Sequence, residues 1–184
     1  MKALSLAPDH PEAHLALGAV YIFTNRAAQG IAECEQALVL NPNIADVHSA
    51  IGMGKFLMGQ TAETEGHIIE ALRLSPRDIG ASWWMYCVGR AKIQLGADAE
   101  AVAWLRRSIE TNRNFPTAHF LLAAALAFVG AVDEARTAAN AGLALNPGFT
   151  IRRLRDSASS DNPTYLAARE RICVGMRLAG VPEG

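Results

Sequence analysis

Charge is what this 184-residue chain has least of. Asp, Glu, Lys and Arg make up 19% of it, against about 25% in an average globular chain. The 17 basic residues are balanced by 18 acidic ones, and without a basic excess the chain lacks the usual signature of a nucleic-acid binder. Cysteine is scarce too. Cys34, Cys87 and Cys173 are far apart and odd in number, which excludes a disulfide framework and a metal-binding cysteine motif. Long apolar runs are missing: the uncharged stretch 120–132 falls short of the roughly 20 residues that cross a bilayer. No leader peptide is legible, because Pro8 and Asp9 end the short apolar stretch after Met1-Lys2. What the chain does have is apolar residues, at 51%, enough to offset the entropy of ordering and to exclude disorder. These features predict a globular protein of a reducing, cytoplasmic compartment, without membrane or nucleic-acid contact.

The order in that composition is a repeat. Leu6-Ala7-Pro8, Leu40-Asn41-Pro42 and Leu74-Ser75-Pro76 place their prolines 34 residues apart, and Leu145-Asn146-Pro147 follows 71 residues later, one such unit plus a unit of 37. Within each period a large residue precedes an aliphatic–small pair: His14, Leu17, Gly18 and Tyr21 in the first, weakening to His48, Ile51 and Gly52, then Met85, Val88 and Gly89, then His119, Leu122 and Ala123. A second half carries small and large residues at helical spacing before the proline, as in Gly30, Cys34, Ala37 and Pro42, or Thr64, Ile68, Ala71 and Pro76. This pattern resembles the tetratricopeptide repeat (TPR) family, whose unit is a 34-residue helix–turn–helix. The resemblance implies an all-α, right-handed α-solenoid of tandem TPR hairpins.

Each feature has a mechanical reason. Small residues at 18, 52, 89 and 123 let the two helices of a hairpin approach, with Ala37 and Ala71 facing them. Proline after a second helix stops it, since its ring cannot extend the hydrogen-bond ladder. Gly59, Gly96 and Gly130, with Asn25 in the first unit, stand where a left-handed cap must turn the chain. The units so defined are 11–44, 45–78, 79–115 and 116–149. Residues 1–10 match the end of a second helix whose first helix is missing, so the chain reads as part of a longer protein. The third unit holds three extra residues around Asp78-Ile79-Gly80-Ala81; being close to one helical turn, they predict a longer first helix. Residues 150–184 leave the pattern. Asp161-Asn162-Pro163 opens a helix with an apolar stripe of Tyr165, Ala168, Ile172, Met176 and Ala179, expected to cap the last hairpin.

No chemistry-bearing constellation accompanies the repeats. His14, His48 and His119 share one packing position, and neither Cys nor carboxylate completes a ligand set; no metal and no cofactor is expected. His67 reads as exposed. Cys87 lies among Trp84, Met85, Tyr86 and Val88, surroundings that raise a thiol pKa and leave it inert. Gly52-Met53-Gly54 is a fragment of a dinucleotide fingerprint inside a helix. Arg106-Arg107 and Arg152-Arg153-Leu154-Arg155 read as solvated helix-end charge. An enzyme is not expected.

The TPR resemblance implies instead a groove lined by the first helices. There it would present Leu15, Ser49, Met53, Trp83, Tyr86, Arg90, Phe120 and Ala124, with Trp83, Tyr86 and Phe120 as aromatic anchors. Leu15 and Ala19 stand where the family's carboxylate-clamping members carry Lys and Asn, so a terminal carboxylate would be desolvated without a partner. The expected ligand is therefore a protein partner's helix or extended peptide. The same surface could equally pack on the chain's own C-terminal helix, on an upstream region, or on a second copy as a homodimer. The tail, Asp161-Asn162-Pro163-x-Tyr165-Leu166 followed by Arg171-Ile172-x-x-Gly175-Met176-Arg177-Leu178-Ala179-Gly180-Val181-Pro182-Glu183, resembles the ends of bacterial regulators that carry TPR repeats behind a class III adenylate/guanylate cyclase or winged-helix domain. That resemblance implies a non-catalytic interaction region of a signalling protein.

Overall fold

A computed structural model describes residues 9–184, so the reading of residues 1–10 falls largely outside them. The described residues contain ten α-helices and no strand. They form two compact units: one runs through Gly80 and includes Ser159–Asn162, the other comprises Ala81–Ala158 and Pro163–Gly184.

In the first unit, α1 (Pro11–Phe23) pairs with α2 (Ala27–Leu40), and α3 (Ala45–Leu57) pairs through a 3-10 turn at Thr61–Glu63 with α4 (Thr64–Leu74). The turns are set by backbone handedness. Asn25 has φ 60° and Gly59 φ 79°, and the amides of Arg26 and Gln60 reach back to the carbonyls of Tyr21 and Lys55, the six-to-one bond of a glycine-type helix end. Close approach between α1 and α2 rests on Gly18 and Gly30: a Cβ on Gly18 would lie 2.8 Å from the Gly30 carbonyl oxygen. In the next hairpin the Thr64 hydroxyl donates to the Gly52 carbonyl across the buried seam. Ile22, Cys34, Val47, Phe56, Leu57 and Ile68 fill the interior.

The second unit repeats the scheme. α5 (Ala81–Gln94) pairs with α6 (Asp98–Thr111), and α7 (Pro116–Phe128) with α8 (Val132–Leu145). Gly96 and Gly130 take φ 74° and 81° at the turns. Ser108 Oγ donates to the Ser82 carbonyl at 2.7 Å, and Gly89 lies against Leu105. Trp84 is 1% exposed and is the largest fully buried side chain. Proline begins α7, where its missing N–H costs nothing.

The extra residues of the third unit do not become a turn of helix. α5 has 14 residues, one more than α3 and α7, and the rest lengthen the preceding loop, which spans 75–80 where the α2–α3 loop spans 41–44. Asp78 explains this: its carboxylate accepts from Ser75 Oγ and from the Gly80 amide, a local arrangement that competes with helix. Ile79 is left fully exposed.

After α8, the short α9 (Ile151–Asp156) leads to α10 (Pro163–Leu178). The last residues close this region. Ile151 and Arg152 donate their amides to the carbonyls of Pro182 and Glu183, occupying donors that a helix start otherwise leaves open.

Candidate interaction face

The seat of α10 decides what the first-helix face can do. Its apolar stripe is buried as expected, with Tyr165, Ala168, Ile172, Met176 and Ala179 at 4% exposure or less. The surface that buries it is the first helices, α7 with α5, together with α9. The helix thus lies across the face read as a partner groove rather than simply closing the last hairpin. Gly175 permits the closest approach: a Cβ there would lie 2.8 Å from both Ala124 Cβ and Phe128 Cε2.

Polar contacts orient the helix. Arg171 donates bidentately to Asp98, at 2.7 and 2.6 Å, and also to the Ile93 carbonyl. Its guanidinium lies 3.9 Å from the Phe128 ring centroid. The Asp98 side chain is 13% exposed, so the pair is partly desolvated and stronger than a surface one. The Arg90 guanidinium stands 5.7 Å from the Tyr86 ring and 5.9 Å from the Tyr165 ring. Arg169, 6% exposed, donates to Tyr165 Oη, Ser157 Oγ and the Leu154 carbonyl at the end of α9. A cation at a helix C-terminus also complements its dipole.

Of the residues expected to line an open groove, the structure leaves Leu15, Trp83 and Arg90 half-exposed. The others need correction as open contacts. Met53 is 2% exposed, and Phe120 and Ala124 are fully buried. Phe120 points toward the second helix, where Gly142 leaves room for its ring, and it stacks on Phe149 at 3.9 Å. Ala124 lies under α10. Tyr86 is 7% exposed and packs on Phe115; burial pushes its phenol pKa up. Ser49, 4% exposed, spends its hydroxyl on the Asp46 carbonyl. Sequence reasoning missed Asp98, and it set Arg169 and Arg171 on faces of the tail helix other than the apolar stripe, where the structure instead buries Arg169. The one available signal was Gly175, a glycine in the middle of an apolar stripe, which marks close approach of a neighbour.

Reactive groups are accounted for by packing and ion pairs. Burial pushes the Cys34 thiol up to about 12 and raises Cys87 and Cys173 as well, leaving them protonated and inert at neutral pH. His14 Nδ1 meets Glu33 at 2.7 Å, and His119 Nε2 lies 3.1 Å from the Arg113 carbonyl. His67 is half-buried rather than exposed, its ring 6.2 Å from that of His48. Among the described residues no group of three or more His, Cys, Asp and Glu side chains is placed to hold a metal ion, and no helix is long and apolar enough to cross a membrane. In the basic cluster, Arg155 is bound by Glu170 and Glu183, and Arg106 by Glu134.

Solved structures share this architecture. YrrB, "a TPR protein with an unusual peptide-binding site", aligns over 97% of this chain and 94% of its own, with TM-score 0.66 and 20% identity. PilW, a "type IV pilus biogenesis factor", aligns over 92% and 79% with TM-score 0.73 and 22% identity. The fold is the TPR fold. Pseudomonas aeruginosa PilF agrees, covering 91% of this chain and 77% of its own at TM-score 0.72 and 22% identity. Neither family models nor curated proteins match the chain by sequence, and identities this low carry the fold alone.

Proposed function

We propose that the chain is a non-catalytic protein–protein interaction scaffold whose first helices receive a partner's helix or extended peptide. The observation that carries this reading is α10 itself. A helix lies across α5 and α7, seated by an apolar stripe, a glycine contact and a partly buried ion pair, so the face has the shape and chemistry to hold one. Rigid hairpins lower the ordering cost of such binding. In the second unit the half-exposed Trp83 extends the candidate surface, and in the first unit the half-exposed Leu15 offers a contact on its own first helix. The tail resemblance supports placing the chain, with repeat units at 11–44, 45–78, 79–115 and 116–149, in a larger cytoplasmic signalling protein of bacteria.

The test is affinity capture with the full chain, comparing wild type with Leu15→Asp and Trp83→Ala. The expected result is a specific partner retained by wild type and reduced tenfold or more by each variant, with helix content unchanged. Capture indifferent to both substitutions in folded protein overturns the reading. A second reading, self-association, is favoured by a stripe on the outer side of α10, where Leu166, Val174 and Leu178 are 41, 39 and 58% exposed. Light scattering against concentration separates them: a monomer at every concentration removes self-association.

A further inference from the structure

We propose that α10 is a resident competitor on the α5–α7 face, and that the partner this face takes is an amphipathic helix of α10's own pattern. This rests on the scaffold reading and specifies its ligand and its regulation. Three contacts define the pattern. Tyr165 is buried beside Arg90. Arg171, six residues on, must reach the Asp98 carboxylate and the Phe128 ring together. Four residues further, Gly175 must be without a side chain, because any Cβ would meet Ala124 and Phe128 at 2.8 Å. The recognised class is therefore a helix with an aromatic residue, a basic residue six positions later and glycine four after that, with Ala168, Ile172 and Met176 filling the apolar stripe.

The face specifies the ligand more tightly than hydrophobic burial alone would. Asp98 offers a carboxylate on the first turn of α6, so a helix with an acidic residue in place of Arg171 brings like charge to a partly desolvated site. The attachment of α10 sets what exchange must break. It follows the six-residue α9 and a segment in which Ser160 Oγ and Asn162 Nδ2 donate to the carbonyls of Leu57 and Met58, and the carbonyls just beyond it accept from the amides of Ile151 and Arg152. Its tie to Asp98 is ionic but partly buried, so salt screens it only weakly. A tethered helix competes at high effective concentration, so a free helix of equal quality binds only when α10 is out of its seat.

The probe is a labelled synthetic peptide of residues 161–181, titrated into the full chain. Gly175→Leu in the chain unseats α10 by clash and leaves the face intact. The Gly175→Leu chain is expected to bind the peptide at least tenfold more tightly than wild type does, and a peptide carrying Arg171→Glu is expected to lose at least tenfold. A folded Gly175→Leu chain that binds no better than wild type overturns the proposal. Hydrogen exchange on wild-type protein decides the matter independently of that variant. Amides of α10 should exchange at least tenfold faster than those of α7, since a competitor must open without global unfolding; equal protection makes α10 ordinary core and overturns the proposal. Failure here with partner capture still sensitive to Leu15 and Trp83 leaves the scaffold reading standing, whereas peptide binding with no capturable partner removes that reading alone.

Discussion

Replacing glycine by alanine at two positions, Gly30 and Gly66, should move stability in opposite directions, because only one of them carries a helix–helix contact. Alanine in a helix interior is favoured over glycine by about 0.5–1 kcal/mol through backbone entropy. At Gly66, on α4, nothing lies within 4 Å of the added Cβ, so the full gain is kept. At Gly30 the Cβ would fall 2.5 Å from the Gly18 carbonyl oxygen, 2.6 Å from Ile22 Cγ1 and 2.9 Å from the Ile22 amide nitrogen. Two of those neighbours are backbone, so no rotamer change relieves them and α1 must move away from α2. Overpacking of this kind costs about 1–3 kcal/mol, and the opened seam loses part of its dispersion energy besides. The expected net change is a loss of about 1–2 kcal/mol at Gly30 against a gain of up to about 1 at Gly66. For a chain of this size each kcal/mol corresponds to about 2–4 °C in Tm, so calorimetry should separate the two variants by several degrees. A Gly30→Ala protein as stable as Gly66→Ala would refute the claim that the backbones of α1 and α2 meet at this point.

Three further outcomes follow from the same contacts. Arg171→Ala should cost about 1.5–3 kcal/mol in urea unfolding through the lost charged hydrogen bonds to Asp98, and because the pair is partly buried most of that gap should persist in high salt; an unchanged midpoint would remove the ion pair as a tie of α10. Gly96→Ala should lose about 1–2 kcal/mol from φ alone, since no atom lies within 4 Å of its Cβ but the backbone is left-handed; a neutral result would mean that the turn tolerates a different geometry. His67 titrates lower in the folded protein than in the unfolded chain, first because burial disfavours its charged form and then because His48 and Lys55 lie nearby. Between the two values the unfolded state binds more protons, so stability should fall as pH drops below about 6.5 and level off once the folded form titrates. His67→Gln should flatten that slope, and an identical pH dependence in the variant would refute the assignment.

How far the fold was legible depends on whether a residue acts through its own backbone or through a neighbour. Asn25, Gly59, Gly96 and Gly130 were readable as turn points because left-handed φ is a local demand, and all four have it. Gly18, Gly52 and Gly89 were readable because the repeat sets which helix they face. The extra residues of the third unit were misjudged because length alone does not say whether residues extend a helix or a loop. Asp78 settles that through hydrogen bonds to Ser75 and Gly80, side-chain chemistry that competes with helix at short range.

The candidate interaction face was less legible for a geometric reason. A first helix in such a repeat has flanks against its hairpin partner and its neighbours as well as an outer side, and spacing alone does not say where a flank ends. Phe120 falls on the inner side of that boundary because Gly142, on another helix, vacates the space its ring enters. Ala124 lies on the outer side and is buried all the same, because α10 covers it. The low charge of the chain follows the same logic. Several of its few charged side chains are committed within the chain, Arg171 to Asp98, Arg155 to Glu170 and Glu183, and Arg169 to the end of α9. These charges hold α10 against an apolar face, and exposing that face means breaking ion pairs before uncovering apolar surface. Salt therefore separates the two kinds of tie: it screens the exposed pairs of Arg155 with Glu170 and Glu183, and leaves the partly buried Arg171–Asp98 pair and the apolar contacts largely in place.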